Sequence, residues 1–215
     1  MANYLASFVA AAALCSTACT AADTPPAAKP AAKPAAAAAS SPASTPASAA
    51  AHYSRYGTGG SLKFTFMQAG AANTGWFPQF SVDLNYDEKD PAAGRLEVTV
   101  QVGSLETKDQ ERNDTLKSAD LLDTGKYPTA HYAATSFARG AGGKLEAVGR
   151  LTLHGVTRDL RLPLQIQPNA SGITLSGEVA IRRLDYGVGQ GDWKSTDTVG
   201  DEVKLQFQVP LVRAG

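Results

Sequence analysis

Residues 145–181 read LEAVGRLTLHGVTRDLRLPLQIQPNASGITLSGEVAI. Leu145, Ala147, Gly149, Leu151 and Leu153 fall at every second position; so do Leu160, Leu162, Leu164 and Ile166, and then Ile173, Leu175, Gly177, Val179 and Ile181. A period of two gives an extended chain one apolar and one polar face, because successive side chains of a strand point to opposite sides. Asn169 to Gly172 has turn composition, and Gly155 suits a tight turn after His154. Connections this short make the neighbouring strands antiparallel.

The same period extends to both sides. Leu62, Phe64 and Phe66 alternate with Lys63 and Thr65; Phe80, Val82, Leu84 and Tyr86 with Ser81, Asp83 and Asn85; Leu96, Val98, Val100 and Val102 with Glu97, Thr99 and Gln101. A less regular run spans His131 to Ala138, and Val203, Leu205, Phe207, Val209 and Leu211 complete a set of eight. Asp90-Pro91 and Gly140 to Gly143 read as further turns. Eight antiparallel strands close into a barrel that is filled by side chains or holds one slender ligand. The expected fold class is therefore all-β. One segment departs from the period: Thr107 to Asp123 is polar with Leu116, Ala119 and Leu122 at helical spacing, and Gly125 follows as a C-terminal cap. It predicts one short helix between strands 3 and 4, packed on a barrel end, which Pro128 keeps from continuing. An outer-membrane barrel shares the alternation with its apolar face outward; the lack of flanking aromatic girdles, the two tryptophans and a long Ala/Pro arm favour a soluble domain.

The arm occupies the first quarter of the chain. Residues 5–18, LASFVAAAALCSTA, have the length and apolarity of an export signal and are too short to cross a bilayer. Ser16-Thr17-Ala18-Cys19 looks like a bacterial lipobox, with Ser16 where Leu is usual, and makes Cys19 the candidate lipidation site. Ordinary cleavage near Thr20-Ala21-Ala22 is the competing reading, and it leaves a soluble periplasmic protein. From Ala21 to Ala51 the chain is nearly all Ala, Pro, Ser, Thr and Lys, with prolines too frequent for a long helix, so a disordered, semi-rigid spacer is expected. The organisation predicted is a signal at 1–19, a linker at 20–52 and a barrel domain at 53–215. A lipid on Cys19 would tether the barrel to a membrane.

Lys plus Arg number 20 and Asp plus Glu number 20, so no one-sign field draws nucleic acid or anionic lipid. His52, His131 and His154 stand far apart, and the two cysteines, Cys15 and Cys19, both precede the domain. No metal and no cofactor is expected.

Several motifs in fixed order from Tyr53 onward resemble the YceI-like family of exported proteins. They are Gly75-Trp76-Phe77-Pro78-Gln79-Phe80; Val102-Gly103-Ser104-Leu105-Glu106-Thr107; RNDTLKSADLLDTGKYP beginning at Arg112; Gly149-Arg150-Leu151-Thr152-Leu153-His154-Gly155-Val156-Thr157-Arg158; Asp185-Tyr186-Gly187-Val188-Gly189; and Gly200-Asp201-Glu202-Val203. The resemblance implies an elongated, lipocalin-like barrel and an isoprenoid lipid or quinone-like ligand. Asn113 replaces the family's usual Asp, Thr115 a frequent His, and Leu121-Leu122 an aromatic pair; the loop Gln190 to Thr198 lacks the commoner proline.

The candidate ligand-binding residues are the inward Phe64, Phe66, Phe80, Val82, Leu84, Val98, Leu151, Leu162, Val179 and Phe207, which line a tunnel or fill a core. His154 is read first as a turn residue and second as a donor to a pyrophosphate or quinone oxygen. Arg112 either joins Asp114 and Asp120 in a buried ionic cluster closing the barrel or meets a diphosphate head group. Trp193 is either a lid or an edge cap, in a region where Gly187 to Gly191 is expected to be a flexible mouth loop.

Three functions compete. A lipid-carrier protein needs only contiguous apolar surface, each buried methylene being worth ~0.8 kcal/mol. A hydrolase has no Gly-x-Ser-x-Gly elbow and no metal-ligand spacing to support it. An envelope stress or interaction module would have a filled core, and a continuous void of roughly 300 Å³ or more decides against it.

Overall fold

The computed structural model describes residues 50–54 and 59–214. The expected signal, linker and Cys19 lie outside the described residues, apart from the linker's last three, Ala50, Ala51 and His52. Ten β-segments and one helix follow in chain order: β1 (Ala51–Ser54), β2 (Ser61–Gln68), β3 (Ala71–Trp76), β4 (Phe80–Tyr86), β5 (Arg95–Gln101), α1 (Gln110–Lys117), β6 (Thr129–Arg139), β7 (Leu145–Leu153), β8 (Val156–Asn169), β9 (Gly172–Arg182) and β10 (Val199–Arg213). The β1 strand thus begins two residues before the boundary placed at Tyr53.

The ten segments form eight staves. Along one edge β10 pairs with β2, from Val199↔Gln68 to Gln208↔Ser61, and then with β1 at Val212↔Ser54 and Arg213↔Tyr53. On their other side β2 pairs with β3 and β1 with β4. Thus β1 and β2 act as one broken stave, and β3 and β4 as the next. From β4 to β10 each strand is antiparallel to its successor, so the sheet closes on itself. All eight alternating runs fall on strands, the third running one residue past β5 to Val102.

The register puts the apolar set inside. Phe80, Val82 and Leu84 of β4 are buried while Ser81 and Asp83 are exposed, and Met67 is the one large hydrophobic side chain counted as exposed among the described residues, at 43%. Inward apolarity is the reverse of an outer-membrane barrel, whose lipid-facing wall is the apolar one. Tight turns carry the chain over. His154 and Gly155 form the two-residue β7–β8 loop below the Leu153↔Val156 pair, both with positive φ (50° and 74°), the handedness that matches strand twist.

One end of the barrel is solid. Leu84, Ala147 and Leu211 are completely buried there, and the Phe137 ring meets Tyr86 edge-on at 5.4 Å. Gly94 lies against that ring, where a Cβ would sit 2.5 Å from Cδ2.

The other end carries α1, which is shorter than the span from Thr107 to Asp123. The Asp109 carboxylate accepts from Arg112 N–H at 3.1 Å and caps the N-terminus, and Ser118 is already extended. Beyond it the chain folds back, with Leu122 N–H donating to the Leu116 carbonyl and Asp123 N–H to that of Ser118. Leu116 and Leu122 therefore meet through a reversal and not along a helix face. Asp123, at φ 41°, takes the left-handed position, and Gly125 caps nothing.

Leu84→Ala removes a side chain from the solid end, and a loss of about 2–5 kcal/mol in chemical denaturation is expected. A loss below about 1 kcal/mol would show that this end relaxes around the gap.

Candidate functional site: an apolar cavity opening beneath the helix

Above the solid end the barrel is hollow. The cavity measures about 610 Å³, and its wall is built mainly from inward aliphatic and aromatic side chains of β2, β4 to β10 and the mouth coverings. Phe64, Phe66, Phe80, Val82, Val98, Leu151, Leu162, Val179 and Phe207 all stand on this wall. Arg112 and Trp193 line it as well. Two candidates do not. Leu84 is inward but lies at the solid end, 0% exposed, opposite Leu96 and Tyr53. His154 sits in the turn conformation at the barrel end, with its ring 4.4 Å from that of Tyr127.

Polar groups concentrate at the rim, where Gln68, Asp109, Glu111, Arg112 and Thr115 meet the cavity. Arg112 reaches Asp109 at 3.5 Å, one helical turn back. The buried cluster with Asp114 and Asp120 does not form. Asp114 instead accepts from Gln110 Nε2 at 2.8 Å, and Asp120 lies beyond the helix end, where its carbonyl accepts the Gln190 N–H at 2.7 Å. That last bond joins the two segments covering the mouth.

At the cavity's deeper level the polar group is Tyr132. Its hydroxyl donates to the Ala147 carbonyl at 2.9 Å and lies 3.2 Å from that of Leu160, and burial raises its pKa so that it stays a donor.

The residues 187–199 are fastened by a residue the sequence reading did not single out. Arg183, only 4% exposed, donates from Nε to the Gly200 carbonyl (3.0 Å), from Nη1 to that of Val188 (3.0 Å) and from Nη2 to those of Ser195 (3.3 Å) and Val199 (2.8 Å). Burial lowers its pKa, and the nearby Asp201 charge partly offsets this. Gly189, at φ 89°, lets the loop pass beside the guanidinium, where a Cβ would collide with Nη1. The loop expected to be flexible is thus pinned through its carbonyls. Parity held the missed signal: Ile173 to Ile181 face inward at odd positions, and Arg183 is the next. Trp193 packs beside Phe64, Phe66, Leu105 and Val199, and so belongs to the mouth's apolar wall.

Beneath α1, Asn113 (2% exposed) accepts from Thr107 N–H (2.9 Å) and Oγ1 (2.8 Å), and its amide donates to Glu106 Oε1 at 3.1 Å. The Asn113 amide and then the Lys108 N–H hold the Glu106 carboxyl below its ordinary pKa. An aspartate at 113 would set two carboxylates together, whereas the Asn amide donates to Glu106.

This closed, eight-staved barrel, hollow at one end, belongs to the YceI-like family, whose model matches residues 51–211. The relatives place it further. Protein YceI of Escherichia coli O157:H7 is 40% identical over 92 residues, 43% of this chain and 48% of that protein. The chain therefore aligns with about half the length of the curated relatives it matches. Among solved structures, BcnA of Burkholderia cenocepacia superposes with a TM-score of 0.67 at 29% identity, covering 72% of this chain and 96% of that one. A polyisoprenoid-binding domain from Saccharophagus degradans shares the fold with a TM-score of 0.61 at 18% identity, over 77% of this chain and 99% of that one.

Two measurements probe the mouth. Arg183→Met frees four carbonyls at once, so amide exchange across residues 187–199 is expected to accelerate and stability to fall by at least about 2 kcal/mol; unchanged exchange there would contradict the pinning. For Asn113→Asp the sign follows from Glu106. A depressed carboxyl pKa adds stability above the ordinary carboxylate range, and that stability is lost as pH falls through the folded-state value. The substitution removes the depression, so the deficit in Tm against wild type should be largest at neutral pH and shrink toward pH values where both carboxyls are protonated.

Proposed function

We propose that this chain binds a long apolar isoprenoid-type lipid, a polyprenyl phosphate or a quinone-like molecule, and sequesters or transports it in the bacterial cell envelope. The cavity carries the reading. At about 610 Å³ it lies within the ~300–1,000 Å³ range of ligand pockets, and close-packed interiors do not keep such space empty by default. An envelope stress or interaction module with a filled core has no use for it. An apolar chain fits the wall without any diagnostic contact, and the polar rim of Gln68, Asp109, Glu111, Arg112 and Thr115 suits a head group held at the mouth. The S. degradans domain, polyisoprenoid-binding and of the same fold, supports the ligand class. Binding, not turnover, is the task such a wall serves. The N-terminal sequence supports export, and a lipid on Cys19 with the Ala/Pro spacer would hold the barrel near a membrane from the periplasmic side.

Native mass spectrometry of the protein purified from bacterial envelopes tests this. A co-purifying polyprenyl or quinone lipid is expected; protein that arrives empty and takes up neither class when they are added would end the carrier reading. Val98→Trp, which drives an indole into the lumen, should abolish lipid retention while the protein still melts cooperatively.

A further inference from the structure

Two phenylalanines on the cavity wall lie over glycines of the adjacent strand. Phe64 stands opposite Gly75 in the β2–β3 register, and Phe207 opposite Gly177 in the β9–β10 register. A Cβ built on Gly177 would sit 2.5 Å from Phe207 Cζ and 2.9 Å from Cε1; one on Gly75 would fall inside contact distance of the Phe64 ring in the same way. Each ring therefore occupies the space a methyl would need, folded down on the sheet instead of standing into the lumen.

The two recesses sit at different depths. Gly75 is at the rim, where Phe64 lies 4.9 Å from the Phe77 ring. Gly177 is deep. The next pair toward the solid end, Leu175 and Val209, still lines the cavity, and the pair after it, Ile173 and Leu211, does not. The floor of the hollow thus begins one step below Phe207.

We propose that Gly177 sets the depth to which a lipid chain enters, by giving the Phe207 ring a recess in β9. This rests on the carrier reading. Gly177 is a positioning residue that acts through Phe207. A methyl at 177 meets the far end of the ring on one side and the Pro163 carbonyl oxygen of β8 on another; β8 has to give at that oxygen, and the ring, the more easily moved of the two, turns into the lumen. A ring across the lumen at that level closes the floor to any chain long enough to reach it. Short chains, which end above it, keep all their contacts. Losing burial of about two chain carbons costs roughly tenfold in affinity.

The test measures farnesol and solanesol binding to the full chain by native mass spectrometry, for wild type, Gly177→Ala, Phe207→Ala and the double variant. Gly177→Ala should lower the solanesol-to-farnesol affinity ratio about tenfold or more with farnesol unchanged. The double variant should return the ratio to at least the wild-type value, since no ring is left to displace. If Gly177→Ala does not fold, Phe207→Trp gives the same reading, because an indole overfills the recess and should lower the ratio. Equal ratios in every folded variant would overturn the depth role. So would a double variant as impaired as Gly177→Ala, which would mark the loss as a sheet defect. Wild type binding neither prenol would instead defeat the carrier reading, and the depth role with it.

Discussion

The interior of an eight-stranded barrel is only about as wide as its own inward side chains, so a hollow inside one has to be constructed. This protein divides the length of its barrel between two solutions. At one end Leu84, Ala147 and Leu211 pack in one buried cluster, and Gly94 lets the Phe137 ring seat fully. At the other, modest side chains such as Val82, Val98 and Ala130 face one another, and the larger rings of Phe64 and Phe207 are laid against the wall. The solid end supplies burial for folding; the open end can then leave apolar surface uncommitted. The mouth coverings, α1 and the loop to β10, follow from this, since an open apolar end needs a polar rim and a controlled entrance.

Facing was legible in the sequence because a strand writes it into residue type at every second position. Depth was not. Leu84 and Val82 carry the same signal, yet Leu84 is locked in the solid end and Val82 lines the cavity, a difference set by how far along the barrel each one falls. The β1 and β3 strands were invisible for a different reason: AHYS and AANTGW show no alternation, and their extended form is imposed by the partners they hydrogen-bond. The helix was over-read because Leu116, Ala119 and Leu122 have helical spacing, while Ser118 ends the helix and starts the reversal that brings Leu116 and Leu122 together.

Polar residues of the site divide the same way. Arg112 was found because it stands in a recognisable motif, but its partner proved to be Asp109, a capping residue one turn back on the same helix face, and not Asp114, which two residues on points to another side of the helix. His154 was weighed as a ligand donor, and its φ of 50° shows why a turn holds it. Asn113 became intelligible only beside Glu106, seven positions earlier and reached by the fold of the segment between them. Arg183 carried no motif to mark it; its burial depends on the closing over it of the later segment 187–200, whose carbonyls it holds.

The manner of that closure bears on how such a protein can change. Arg183 grips the chain by the carbonyl oxygens of Val188, Ser195, Val199 and Gly200, groups that every residue type possesses. The path of the loop is therefore specified from outside the loop, by one side chain on the barrel. Between the gripped positions most side chains are free to be rewritten, Trp193 among them, without losing the course of the backbone; Gly189, where a Cβ would run into the guanidinium, is the exception. A mouth built this way separates holding from recognising, so the entrance can be retuned to new molecules while the barrel beneath it stays as it is.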